Sequence, residues 1–497
     1  MNRDRLSLAS LLVVSAAALY GCADGDEAVI NVTSTGGGGG GASTNPMSSC
    51  PPFATARPQD DDGNDVCGIV SPIMEDQTWT ADTVWYLPGP VIVGNGNGEV
   101  GTIPGELADG TPIENVTLNI QAGAEVKGRA GSFANLTITR GSRIEAIGTG
   151  TDPIIFSSDD EGYDGSGEWG GLIIMGYGVN NKCGVVSPCN ITSELLSGMY
   201  GGDDPNDNSG TLRYVIVAEG GYEFEVDEEI NGISFESVGA GTTVEYIQVH
   251  NNADDGVEFF GGTVNAKYVL LTGNQDDSVD WDEGFQGFMQ HVLVIQPDTA
   301  GGSNFAIEGD TTGDLSDNIY STPIVANATY IGNGSGTELL NLKATTGGYL
   351  LHSVFTFDAA VTGPTTCLSS STSVADVPDL MDVAGEVADC DAAGGGTPGA
   401  NLFPSLIPDV GLNGFYASTD ASAEAVGNLS TELGAWAGNH PGYGGVSPAL
   451  NPGFTAPADF GGFFDDTDYA GAVDPAISDA GDLWFSGWAL EGSVVLP

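Results

Sequence analysis

The sequence predicts an all-β solenoid, a chain coiled into stacked parallel strands, and three observations carry that prediction. One segment is written nearly twice, the apolar runs lack helical periodicity, and Asn, Asp and Gly punctuate every run. EYIQVHNNADDGVEFFGG (245–262) is followed by AKYVLLTGNQDDSVDWDEG (266–284). Tyr246 recurs as Tyr268, Asp254 as Asp276, Asp255 as Asp277, Val257 as Val279 and Phe259 as Trp281, each pair 22 positions apart. A looser third copy, NFAIEGD (304–310), follows a longer insertion. Repeats this short cannot bury a core alone and must stack on their neighbours. One strand–turn–strand rung per repeat, stacked in parallel, makes a β-helix.

Taken from its start, the chain opens with a targeting segment over residues 1–21. Arg3 and Arg5 form a positive start, LASLLVVSAAAL is a short apolar core, and Leu19-Tyr20-Gly21-Cys22 ends it. The apolar run is too short for a membrane-spanning helix. A small residue before a cysteine resembles the lipobox of bacterial lipoproteins, although Tyr20 is larger than the residue usual at its place. The resemblance implies lipid on Cys22. With Ala23 where an aspartate would favour the inner membrane, it also implies an anchor in the bacterial outer membrane, facing the periplasm or the cell surface. An ordinary cleaved secretory signal is the alternative. Residues 22–77 read as a flexible tether, with six consecutive glycines from Gly36 to Gly41 in a Ser/Thr/Asn/Pro-rich setting. Once Cys22 is given to lipid, six of the seven cysteines remain. The simplest of their fifteen connectivities pairs Cys50 with Cys67, Cys183 with Cys189 and Cys367 with Cys390. An oxidising envelope compartment permits this.

Charge is extreme, with 68 acidic residues against 11 basic and a formal net of −57. No Lys or Arg follows Lys343. Nucleic acid is excluded as a partner on this ground, since phosphate binding needs clustered cations. Solubility in a salty medium, where screening removes self-repulsion, accounts for the acidity without a specific surface function.

The coil is expected over 78–358. NVTLNIQAGAEVKG (115–128) and NLTITRGSRIEAIG (135–148) match at an offset of 18 residues. Lys127, Arg129, Arg140 and Arg143 then sit at matched places beside Glu125 and Glu145, where solvated pairing is the default. A hairpin-rich sandwich, the rival architecture, predicts dipeptide turn signals that these phase-preserving repeats lack. A disulfide-sized loop at Cys183–Cys189 and the acidic GGDDPNDNSG (201–210) interrupt the coil. Residues 359–445 lose all period and read as an acidic, loop-rich excursion stapled by Cys367–Cys390. Residues 446–497 regain apolar density and read as a C-terminal cap closing the solenoid end.

WYLPGPVIVGNG, LNIQAGAEVKGRAG, LTITRGSRIEAIGTGTDPIIFSS, GEWGGLIIMG, the central repeats and the closing FFDDTDYAGAV…LWFSGWAL together resemble a broad family of bacterial secreted proteins and lipoproteins. That family folds as a pectin-lyase-like right-handed parallel β-helix. The resemblance covers most of the chain beyond the tether and implies the fold. It implies little chemistry, since most such proteins carry no assigned activity.

Strand alternation points Val257 and Phe259 inward and Glu258 and Phe260 outward; Val279 and Trp281 point inward, Asp280 and Asp282 outward. One outward column then reads Glu258, Asp280, Ala306, Asn341, and its neighbour Phe260, Asp282, Glu308, Lys343. In the preceding turns Asp254 lies over Asp276 and Asp255 over Asp277. Carboxylates about 4.8 Å apart cannot all stay charged without a shared proton or a cation. Hard oxygen ligands favour Ca²⁺, with Asp254, Asp255, Asp276, Asp277 and Asp280 as its ligands. Set against this is a solvated acidic turn in which Asp merely suits the geometry.

Two functions follow. The first is a non-enzymatic, membrane-tethered lipoprotein that binds Ca²⁺ and presents an acidic face to a polysaccharide or envelope protein. The second is a carbohydrate-active enzyme, a glycosidase or polysaccharide lyase acting on uronate polymers, with Asp254, Asp277 and Lys343 as its catalytic groups. Lys343 as the partner of Glu308 is the plainer reading. His250 lies four residues before Asp254; His291, His352 and His440 lack such a neighbour, and ordinary hydrogen bonding suits all four. Phe260 is a candidate sugar platform, although single exposed aromatics are common.

Overall fold

The computed structural model describes residues 45–297 apart from 185, 194–196 and 225–228, then 305–311, 319–332, 338–343, 346, 349–357 and 366–369. It also describes 460–467, 469–474, 476–477 and 479–494. Cys22 with the targeting segment, Cys390 and with it the expected pairing to Cys367, His440 and most of 359–445 lie outside the described residues.

Each coil contributes to three faces. From Gly210 onward a single strand serves the first two, as in Gly210–Ala218, Thr243–His250, Asn265–Thr272, Phe288–Ile295 and Ile324–Gly332. Each of these strands bends at one residue of positive φ: Tyr214 at 50°, Tyr246 at 54°, Tyr268 at 60°, His291 at 58° and Asn327 at 51°. Those residues drop out of the pairing, which runs Arg213 to Glu245 on one side of the bend and Val215 to Ile247 on the other. The third face stacks nine strands in parallel, from Val91–Val93 to Thr366–Ser369. Among the described residues, antiparallel pairing of named strands is confined to Ala54–Ala56 with Asp65–Ile69 and to Ile191–Thr192 with Met199–Tyr200. The sandwich alternative is thereby excluded. Inside the tube, like side chains lie over like: Phe235 stacks on Phe259 at 5.1 Å between ring centroids, and Phe259 on Phe285 at 4.3 Å.

The 22-residue echo is one full turn of the tube. Val257 pairs with Val279, Glu258 with Asp280 and Phe259 with Trp281. The echo at 18 residues is not a turn of the tube. Leu118 pairs with Ile144 rather than with Leu136. The first segment supplies strands to the first and second faces (Thr117–Ile120, Glu125–Gly128), the second to the third and first (Leu136–Ile138, Arg143–Ile147). What matched was two different corners of the same coil, first-to-second and third-to-first, each turned by a glycine of positive φ, Gly123 and Gly141.

Four further expectations change. The fold begins upstream of residue 78, because Asp65–Ile69 pairs in parallel with Thr83–Leu87 and Cys67 is fully buried. The expected Cys50–Cys67 and Cys183–Cys189 disulfides, by contrast, do not change and are both formed. Arg140 is not a solvated ladder member: it is fully buried, and its five N–H groups donate to the carbonyls of Gly96, Gly98, Cys189 and Gly201 and to Asn190 Oδ1. The described C-terminal residues run along the outer side of the second face rather than over an end. There Ala470, Val473, Phe485, Trp488 and Leu490 cover Ile216, Leu270, Leu293, Ile331 and Val354, apolar residues that alternation leaves pointing outward. Phe260 also points outward but is only 4 % exposed, because the excursion carrying Cys189, Ile191 and Tyr200 packs on it. It offers no platform.

Candidate metal centre

The turn between the second and third faces is built on buried amides. Asn252 and Asn274 are fully buried one above the other; Asn252 N–H donates to Asn274 Oδ1 and Asn252 Nδ2 to the Asp255 carbonyl (2.8 Å). This fixes where Asp255 and Asp277 emerge. Asp277 N–H donates to Asp255 Oδ1 at 2.8 Å, and Phe305 N–H donates to Asp277 Oδ1 at 2.7 Å. One oxygen of each aspartate thus ties its coil to the next, which is turn chemistry, and leaves the second oxygen for the cluster.

That cluster links seven carboxyl groups through three overlapping sets. Asp254, Asp255 and Asp276 form one, Asp255, Glu258 and Asp280 the next, and Asp277, Asp280 and Glu308 the third. Within each set one oxygen per residue lies within 4.8 Å of the others. A Ca²⁺ ion bound at about 2.3–2.6 Å places its own ligands this far apart. Every aspartate expected as a ligand is therefore present. The expected column was two residues out of register at its third rung alone, since Asp280 pairs with Glu308, Glu308 pairs with Asn341, which keeps its expected place, and Ala306 is wholly buried in the core. Glu308 joins Glu258 and Asp280 instead of Asp282. The catalytic pairing of Asp254 with Asp277 is not favoured, because the two share no set.

Burial raises the Asp255 and Asp277 carboxyls well above the usual range, and the neighbouring acids, led by Asp254 and by Asp280 respectively, push them further. Burial likewise lifts Asp276 against the pull of Lys343, and it carries Asp280 to about 7. Asp280 Oδ1 is buried with no hydrogen-bond partner. The flanking groups are satisfied: Asn231 Nδ2 donates to Glu258, Asn341 Nδ2 donates to Glu308 Oε2 at 2.7 Å, and Lys343 pairs with Glu308 Oε1. Lys343 is thus the partner of Glu308, as the plainer reading had it. His250 stands apart, its Nδ1 2.7 Å from Thr272 Oγ1 and its basicity lowered by burial.

The donor set fits a hard divalent cation. It consists of carboxylate oxygens on a rigid scaffold, with no thiol or imidazole among them, and one oxygen lacks any partner. Sequence reasoning missed Glu258 and Glu308 as members. The outward position of Glu258 was visible, but the insertion before residue 304 hid the register of Glu308. A family model described as "Pectate-lyase like beta helix domain" matches residues 108–369, which include every residue of the cluster. No curated protein and no solved structure matches the chain. With more than half of its length matched, and the stacked parallel coils that the description requires, the chain belongs to the pectate-lyase-like β-helix domain family.

Proposed function

We propose that the carboxylate column is a Ca²⁺ site and that the protein is a non-enzymatic β-helix lipoprotein, anchored through Cys22 to a bacterial outer membrane. Its acidic face then serves a polysaccharide or an envelope protein. The observation that carries the cation is Asp280, which belongs to two of the three carboxyl sets and whose Oδ1 is buried without a hydrogen-bond partner. Leaving such an oxygen unsatisfied costs about 1–3 kcal/mol or more, and like charges around it add to that. A cation cancels both terms. Titration calorimetry and melting curves with Ca²⁺ against a chelator test this. At a hundredfold excess over Kd the ion adds about 2.7 kcal/mol of stability. Absence of both heat and stabilisation overturns the site. The anchor is tested separately, by the mass of the mature N-terminus and by loss of membrane fractionation in Cys22→Ala.

A second reading, a lyase acting on uronate polymers, draws support from Lys343, the amine whose charge reaches Asp276, Asp277 and Asp280. Ultraviolet-absorbing unsaturated products from pectin or alginate, lost in Lys343→Met, would put this reading first.

A further inference from the structure

Outside the metal centre, two carboxyl groups meet over one hydroxyl. Ser158 Oγ lies in hydrogen-bond contact with Glu168 Oε2 and 3.3 Å from Glu219 Oε2. It also accepts from the backbone N–H of Asp160 at 3.2 Å. A serine hydroxyl carries one hydrogen and two acceptor sites. Donation to Glu168 uses the hydrogen and the Asp160 N–H fills one lone pair. The contact with Glu219 is then a hydrogen bond only if Glu219 carries a proton and donates it. With that proton in place, every group of the trio is satisfied. Without it, two carboxylates face one another across an oxygen that can serve only one of them.

The surroundings favour the protonated form. Glu219 is 1 % exposed, and at φ 63° its backbone lies in the left-handed region that favours glycine. Burial, then Glu168, lifts its carboxyl to about 7, against the N–H of Gly165 and the charge of Lys127. Lys127, on the neighbouring strand Glu125–Gly128, spends its ammonium on Ser157 Oγ at 2.7 Å and sits over the Tyr163 ring. Tyr163 in turn feels both Glu125 and Glu219. The segment 159–168 itself carries Asp159, Asp160, Glu161, Asp164 and Glu168, with no Lys or Arg.

This segment is joined at both ends by the trio, through Ser158 just before it and Glu168 at its close, and lies along the edge that bears the carboxylate cluster. Asn251 Nδ2 donates to the Tyr163 carbonyl at 2.9 Å, and Gln275 Nε2 to Ser166 Oγ at 2.7 Å. Gly167 leaves room for a Cβ only 3.3 Å from that of Ala253. Ala253 and Gln275 immediately precede Asp254 and Asp276. We infer that segment 159–168 is a latch held by the proton shared among Glu219, Ser158 and Glu168, and that loss of this proton to solvent frees the segment and opens the edge of the cation site. The latch stands on its own geometry, whereas its role in cation access rests on the Ca²⁺ reading above.

Hydrogen exchange of the full chain without added cation tests the latch. Between pH 5.5 and 8, opening of 159–168 rises roughly twentyfold after correction for intrinsic exchange. In Glu219→Gln, whose amide donates at every pH, the rise disappears. Ser158→Ala, if folded, leaves the segment open at both values. Equal pH dependence in the wild type and Glu219→Gln, or none in the wild type, overturns the latch. Stopped-flow uptake of Ca²⁺ at pH 8 then reads access, and Glu219→Gln slows it at unchanged affinity. Equal uptake rates overturn the role in access. Failure of both chains to bind Ca²⁺ overturns the cation reading and the access role, while the exchange result still decides the latch.

Discussion

Two columns run along this tube, and they answer the same constraint in opposite ways. At the corner between the first and second faces, Tyr214, Tyr246, Tyr268 and His291 stack at centroid spacings of 4.5, 4.3 and 4.8 Å. At the edge of the third face, Glu258, Asp280 and Glu308 stack on successive coils with Asp255 and Asp277 beside them. A solenoid sets each residue over its counterpart one coil away, whatever that residue is. For aromatic rings the arrangement is stabilising, worth about 0.5–1.5 kcal/mol per pair beyond burial. For carboxylates it is repulsive, and only a proton or a cation makes it tolerable. The aromatic column is therefore complete in itself, whereas the acidic one needs a proton or, on the reading proposed above, a cation.

The largest effect expected from breaking this contrast lies in the aromatic column. Tyr246 touches Tyr214, Tyr268 and Trp488, so Tyr246→Ala loses about 3 kcal/mol. Because φ at Tyr246 is 54°, the corner also carries strain that a side chain aggravates and glycine relieves. Tyr246→Gly should accordingly be the milder variant, by about 1 kcal/mol in denaturant unfolding. The reverse order would mean that the corner is not strained.

In the acidic column the sign turns over. Asp280→Asn keeps the shape, removes one charge and gives the orphaned position an amide. Without Ca²⁺ it stabilises the chain by about 1–2 kcal/mol, and with saturating Ca²⁺ it is the less stable chain. A variant destabilised under both conditions would assign the column to ordinary turn structure. Chelator alone discriminates here, since it lowers the wild-type midpoint and leaves that of Asp280→Asn in place.

What the sequence made legible follows from the same constraint. Consecutive coils of equal length write their stacking as an echo, so Asp254 over Asp276 and Asp255 over Asp277 could be read directly. Legibility ended where coil length changed: the insertion before Phe305 displaced Glu308 by two positions from where simple alternation put it. The echo at 18 residues misled for a related reason. In these early coils both corners are turned by a glycine of positive φ between apolar strands, so they resemble one another although they join different faces. Partners far apart in sequence were invisible. Nothing local announced that Arg140 would be enclosed by carbonyls of two excursions, or that Glu168 and Glu219 would meet over Ser158. The C-terminal cap was misplaced because the outward apolar residues of the second face look, in sequence, like any strand.

The smallest effect expected is at the place where the C-terminal segment meets the aromatic column. Asp465 accepts from Tyr268 Oη at 3.1 Å and lies 3.2 Å from Lys267 Nζ and 3.5 Å from His291 Nε2. Its hydrogen bond with His291, and then Lys267, hold its carboxyl well below the usual range. A carboxyl depressed on folding stabilises above its unfolded pKa of about 4, and that stability is lost as pH falls through the folded value. The Asp465 side chain is 52 % exposed, so solvent screening limits the gain to about 0.5–1 kcal/mol. Asp465→Asn should therefore loosen exchange over 463–473 about threefold at pH 7 and leave it unchanged at pH 2. The wild type should approach the variant as pH drops from 4 to 2. If the two chains already coincide at neutral pH, the apolar cover over Leu270 and Leu293 holds the segment unaided, and the ion pairs at the corner only set where along the column it rests.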